Sequence, residues 1–260
     1  FKNERENLES KWNDIKVVIE YGMLTEDKFY DKAESFNLYP TVDDKYFTYE
    51  ELEKKIKKLQ TDKDGSLIIL YAQNKDEQYT YIESAKEKGY EVLLLDSPII
   101  PHLMQKLESK KEKIKFSRVD SDTLENLIKK DEEVISKLTD EEKEKLKPMI
   151  ETAVENEKYT VQLEALDSNS MPFMLAQPEF MRRMKEMQQS GGGAMGNLPN
   201  MYSLIVNTNH ELVGKILNTR TEKKRNSLIK QSIDLAKLSQ NNLTGKDLTE
   251  FINRSIDLIK

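Results

Sequence analysis

Leu67-Ile68-Ile69-Leu70-Tyr71-Ala72 is the stretch that decides the fold. Apolar residues follow one another here without alternation, as expected of a strand covered on both faces. The turn Asp62-Lys63-Asp64-Gly65 leads into it. Glu77 to Lys88 reads as a helix closed by Gly89, and Glu91 to Leu95 as a second apolar strand. A helix from about Pro101 to Lys110 then precedes a shorter strand, Ile114 to Val119. Strand, helix, strand at this spacing is a parallel crossover unit, and such crossovers are right-handed almost without exception. Upstream, Thr48-Tyr49-Glu50-Glu51 supplies a cap and an acidic first turn for a helix reaching about Leu59. Residues 40–130 are therefore expected to form a small αβα layer.

Residues 1–39 read as a helical lead-in. A helix over 4–21 carries Leu8, Trp12, Ile15, Val18 and Ile19 on one face, with Gly22 as its stop. Thr25 is expected to cap a second helix bearing Phe29, Ala33 and Phe36. A shift to solvated charge within 121–138 marks a domain boundary, so 131–260 is read as a separate C-terminal domain. There Thr139-Asp140-Glu141-Glu142 is a capping box for a helix carrying Leu146, Met149, Ile150 and Val154, which Pro148 can bend. Tyr159 to Leu166 alternates as a half-buried strand does. Met171 to Leu175 is expected to pair with it across the turn Asp167-Ser168-Asn169-Ser170, and Tyr202 to Val206 is a third strand. Helices follow at 210–218, from Thr221 to Leu238, and from Lys246. The fold class is α/β, α+β overall.

The stretch from Met171 to Met201 holds seven of the ten methionines, and four of the nine glycines fall between Gly191 and Gly196. Pro178 can open a helix, on which Phe180, Met181, Met184 and Met187 recur at helical spacing, with Arg182, Arg183, Lys185 and Glu186 on the other side. The glycine run then reads as a flexible tether. Such a stripe either packs into a core or forms an exposed, adaptable surface for other polypeptides, a use that suits unbranched, polarizable methionine. In the last helix Leu248, Phe251, Ile252, Ser255, Ile256 and Ile259 form a second stripe. It docks on its own subunit or pairs with a second copy, as in a two-fold symmetric four-helix bundle.

Composition narrows the function classes. Charged residues make up 34% of 260 and are mixed in sign, with a net charge of −6, so no basic face for nucleic acid stands out. There is no cysteine, which removes disulfides and thiolate chemistry. No apolar run approaches the ~20 residues of a membrane span. A cytoplasmic protein without membrane or nucleic-acid partners is expected. The chain opens at Phe1 rather than methionine, so a fragment of something longer is expected. His102 and His210 stand far apart, no carboxylates show metal-ligand spacing, and the glycine run lacks the Lys-Ser/Thr of a phosphate loop.

The residues also resemble a known family. Phe36-Asn37-Leu38-Tyr39, Tyr46-Phe47-Thr48-Tyr49-Glu50-Glu51-Leu52, Asp76 to Ile82, Gly89 to Asp96 and Phe116 to Asp120 are similar to the middle segment of the heat-shock protein 90 chaperones. Tyr202 to His210 with Leu212-Val213 resembles their C-terminal dimerization domain. The bacterial form fits best. The resemblance implies a chaperone segment that forms a homodimer and binds non-native client proteins. It implies no catalytic residue, metal or cofactor here, with ATP and Mg belonging to an N-terminal domain of the parent protein. It maps the client-contacting helix onto Phe180, Met181, Met184 and Met187, and a second client segment onto Ile100 and His102, where bacterial relatives carry an aromatic. It assigns the last two helices to the dimer bundle. Two other readings stay open: an α/β enzyme with its site near Ala72-Gln73-Asn74 and Asp96-Ser97, and a purely structural dimerization module.

Overall fold

The computed structural model describes residues 4–131, 134–154, 159–191 and 202–259, with side chains to 188 and 257 in the last two stretches. The glycine tether over 192–196 and the Ile259 side chain lie outside the described residues. The elements fall into two compact units. One holds those up to Lys130 together with the helix beginning at Glu179, although the sequence places that helix within 131–260; the other holds the rest.

The first unit opens with α1 (Arg5–Thr25) and α2 (Asp27–Ala33), followed by a short antiparallel pair, β1 (Tyr39–Pro40) and β2 (Tyr46–Phe47). Then come α3 (Tyr49–Gln60), β3 (Leu67–Ala72), α4 (Tyr79–Glu87), β4 (Val92–Leu94), α5 (Ile100–Lys110), β5 (Ile114–Arg118) and the single turn α6 (Leu124–Leu127). The strands form a parallel sheet in the order β4-β3-β5. β3 is central and buried at every position, as its unbroken apolar run requires. Because the chain leaves β3 toward one neighbour and returns past it to the other, right-handed crossovers put α4 and α5 on opposite faces. α3 begins with a complete capping box: the Glu51 amide donates to the Thr48 hydroxyl at 3.4 Å, and the Thr48 amide to the Glu51 carboxylate at 2.8 Å.

The lead-in departs from its expected boundaries. Gly22 does not stop the first helix, which continues to Thr25. A Cβ at Gly22 would lie 2.8 Å from Cε1 of Phe29, so glycine there lets the phenylalanine ring approach the helix. Thr25 does not cap α2; its hydroxyl donates back to the Tyr21 carbonyl at 2.9 Å. Val18 is 74% exposed, while Trp12, Glu20 and Met23 turn inward.

The second unit contains α7 (Asp140–Ala153), β6 (Tyr159–Glu164), β7 (Phe173–Ala176), β8 (Tyr202–Asn207), α9 (Glu211–Asn218), α10 (Glu222–Ser239) and α11 (Gly245–Ile259); α8 (Glu179–Gly191) is the helix counted with the first unit. α7 runs unbroken through Pro148 behind its capping box. The expected pairing of β7 with β6 is not formed. β8 lies between them, parallel to β6 and antiparallel to β7. Leu204, Ile205 and Val206 are all buried, and the central position gives this strand a ladder on each edge. Val161, Phe173, Leu175, Leu204 and Val206 share a core with Leu146, Ile150, Val213, Ile216, Ile229 and Ile233.

A polar knot fixes the end of β8. The Asn207 carboxamide oxygen accepts from the amides of Leu166 at 3.2 Å and Asn209 at 3.0 Å, and its nitrogen donates to the Asp167 carbonyl at 2.7 Å. Asn209 donates to the carbonyls of Ile135 and Leu166, both at 3.0 Å, and accepts from the Lys137 amide at 2.6 Å. The cap of α9 is His210, with Nδ1 accepting from the Leu212 amide at 3.0 Å. Asn207 is fully buried, so Asn207→Ala strands two amide donors and a carbonyl. The substitution is expected to destabilise the second unit by about 3 kcal/mol, read as a lower urea midpoint at nearly unchanged slope.

Candidate functional site

Helix α8 carries two competing stripes. Glu179, Arg182, Arg183 and Glu186 recur at helical spacing, and so do Phe180, Met181, Met184 and Met187. Hydrophobicity alone would turn the methionines inward. The first unit instead receives the charged stripe, because the groups it offers at that place are polar. They stand at the C-terminal ends of β3 and β5, where the strand order changes direction and open α/β sheets form a crevice.

Arg182 is 3% exposed and donates to the Tyr71 hydroxyl and to Glu179 Oε1 at 2.6 Å, while also pairing with Glu186. The Tyr71 hydroxyl in turn donates to Glu179 Oε1 at 2.8 Å. Arg183 grips both oxygens of Glu108 on α5, at 2.8 and 3.1 Å, and also donates to Glu179 at 2.7 Å and to the Phe116 carbonyl. From β5, the Arg118 amide donates to Glu179 Oε2 at 3.2 Å, while its guanidinium holds Asp120 and donates to Gln73 at 2.9 Å. Burial raises the Glu179 carboxyl pKa, but the charges and hydrogen bonds of Arg182 and Arg183 outweigh it and leave the carboxyl below its ordinary value. Burial lowers the pKa of Arg182, but the Glu179 and Tyr71 contacts outweigh it and raise the net value; for Arg183, Glu108 and Glu179 do the same. Burial raises the Tyr71 hydroxyl, keeping it a neutral donor.

With the polar stripe seated, Phe180 is 70% exposed, and Met181, Met184 and Met187 are half-buried. The other sequence-derived positions are distributed differently. Ile100, the first residue of α5, is 3% exposed within the core of the first unit. His102, one turn into α5, is half-buried. On α11, Leu248 and Phe251 are half-buried, and Ile252 and Ile256 are 47% and 46% exposed. Ser255 faces α10 of its own chain, accepting from Gln231 at 2.9 Å. Next to this stripe, Leu235 and Leu238 on α10 are 42% and 41% exposed, positions that the sequence reading did not assign to the face. Arg254 pairs with the buried Asp234 between the two helices.

At the strand ends considered for an enzyme, the Gln78 side chain accepts from the amides of Gln73 and Asn74 at 2.7 and 3.1 Å, and Lys16 pairs with Asp96. Asp62 spends its carboxylate on its own turn, accepting from the amides of Asp64 and Ser66. No group of three or more metal-ligating side chains occurs among the described residues, and no described helix is long and apolar enough to cross a membrane.

No protein-family model matches the chain. Curated proteins do. The chain is 38% identical over 328 aligned residues to a protein of Bacteroides thetaiotaomicron named chaperone protein HtpG, covering all of this chain and 48% of that relative. A Bacteroides fragilis protein of the same name is 37% identical over the same span, and one from Porphyromonas gingivalis is 40% identical over 243 residues, 92% of this chain and 36% of its own. Similarity along the whole chain places it in the heat-shock protein 90 family. Within that family it is homologous to the HtpG chaperones, and it spans about half the length of the curated relatives it matches.

The depressed Glu179 carboxyl makes the seat of α8 pH-dependent with a definite sign. The folded-state value lies below the ordinary 4.5, so the contribution is complete above pH 4.5 and is lost as pH falls through the lower folded value. Glu179→Gln is expected to cost about 3 kcal/mol at pH 7, because it leaves two arginines short of a buried partner. In acid denaturation series the difference between the two proteins should vanish below that window.

Proposed function

We propose that this chain is a chaperone segment that takes up non-native polypeptides on the outer face of α8 and self-associates through α10 and α11. The observation that carries the first half is the seating of α8 by its charges, which leaves Phe180 70% exposed and Met181, Met184 and Met187 half-buried on the opposite side of the helix. A face of one phenylalanine and three methionines suits the task. It offers apolar area without a fixed shape, so chains of differing sequence can repack it. The HtpG name of the relatives supports the same reading.

The second half rests on adjoining apolar positions of the last two helices: Leu235, Leu238, Phe251, Ile252 and Ile256. With Phe251 half-buried and the other four exposed on neighbouring helices, they suit a self-complementary two-fold contact. Two copies of a weak polypeptide site in one dimer gain avidity by effective concentration.

Serine at Phe180, Met184 and Met187 together is expected to weaken binding of an unfolded polypeptide by at least about tenfold while leaving the unfolding midpoint within error. Fluorescence anisotropy with a labelled unfolded protein, paired with urea denaturation, reads both. If the triple variant unfolds, the stripe is core and the proposal fails. Phe251→Asp with Ile256→Asp is expected to yield a monomer by light scattering; a dimeric variant would exclude this face.

A further inference from the structure

The groups that α8 turns toward the sheet are charged, and each finds a partner: Arg182 at Tyr71 and Glu179, Arg183 at Glu108, and Glu179 at the Arg118 amide. Among the described residues, no apolar side chain of α8 belongs to the buried core of the first unit. Detaching a helix held in this way removes no side chain from the core, and each freed charged group is satisfied again by water. An apolar seat would act in the opposite sense, holding the helix by the same side chains that the proposed function needs outside. Tyr71 links the two regions, with its ring in the core and its hydroxyl in the ionic cluster. A helix of 13 residues is marginal in water by itself, so the helicity of α8 depends on this seat.

We infer that Tyr71, Glu108 and Arg118 are positioning residues for the polypeptide-binding face: with Glu179, Arg182 and Arg183 they form an ionic latch that holds α8 by its polar side, keeps the apolar side outward and releases the helix without opening the core. The purpose assigned to the latch rests on the proposed function, whereas its existence is tested without any bound polypeptide. Tyr71→Phe keeps the ring in the core and removes the hydroxyl; Glu108→Gln keeps the shape and removes the charge that Arg183 grips.

Hydrogen exchange by mass spectrometry on the full chain reads the outcome. In either variant the α8 amides are expected to exchange about tenfold faster, with β3 unchanged, since a tenfold shift in opening is what loss of one such partner readily produces. Unchanged exchange in α8, or equal acceleration in β3, would overturn the latch. In a second arm, a carboxymethylated, permanently unfolded protein is added to the unsubstituted chain. Protection of α8 is expected. Its absence would sink the polypeptide-binding reading and leave the latch standing, so the two failures are distinguishable.

Discussion

Two desolvated arginines set the arrangement of this molecule. A buried guanidinium without carboxylate or hydroxyl partners is too costly to keep, so Arg182 and Arg183 are stable only where Glu179, Glu108 and Tyr71 converge. That convergence exists in one orientation of α8. Rotating the helix by half a turn would place four charges in solvent, strand Glu108 and the Tyr71 hydroxyl beneath methionines, and lose the second bond on Glu179. Buried ion networks add little net stability compared with an apolar contact, but they discriminate strongly between geometries. Here the discrimination determines which face of an amphipathic helix meets the outside.

The receiving crevice follows from topology. A parallel sheet ordered β4-β3-β5 reverses direction between β3 and β5, and the loops at that point part to opposite faces. In many α/β proteins such a place receives a small ligand. Here Tyr71 and Gln73 from one strand end and the Arg118 amide from the other receive charged residues of the chain itself. The polar character that could serve chemistry at a switch point serves attachment instead.

Much of the first unit was legible because an unbroken apolar run and a helix cap with an acidic first turn each have one local meaning. β3 and α3 show this. Failures came where a long-range contact overrode a local signal. Gly22 reads as a stop, yet it serves the approach of Phe29. Met171 to Leu175 reads as the second arm of a hairpin, yet β8 takes the place between because Asn207 and Asn209 tie distant backbone segments to it. At the site, both stripes of α8 were visible in the sequence, and so was their opposition. Which stripe faces inward was not, since it depends on Glu108 and Arg118, which reach the helix only through the fold. The resemblance assigned α10 to the bundle without naming its residues, since Leu235 and Leu238 fit a core pattern equally well by spacing.

Polypeptide binding at the methionines of α8 is the decisive property. Methyl-labelled methionine gives an internal comparison, because Met23 and Met104 are buried in the first unit while Met181, Met184 and Met187 are half-buried on α8. In a methyl NMR titration with a permanently unfolded protein, the three α8 signals are predicted to shift and broaden while Met23 and Met104 stay in place. Signals from α8 that do not respond at saturating polypeptide, or that move only together with Met23 and Met104, would contradict it.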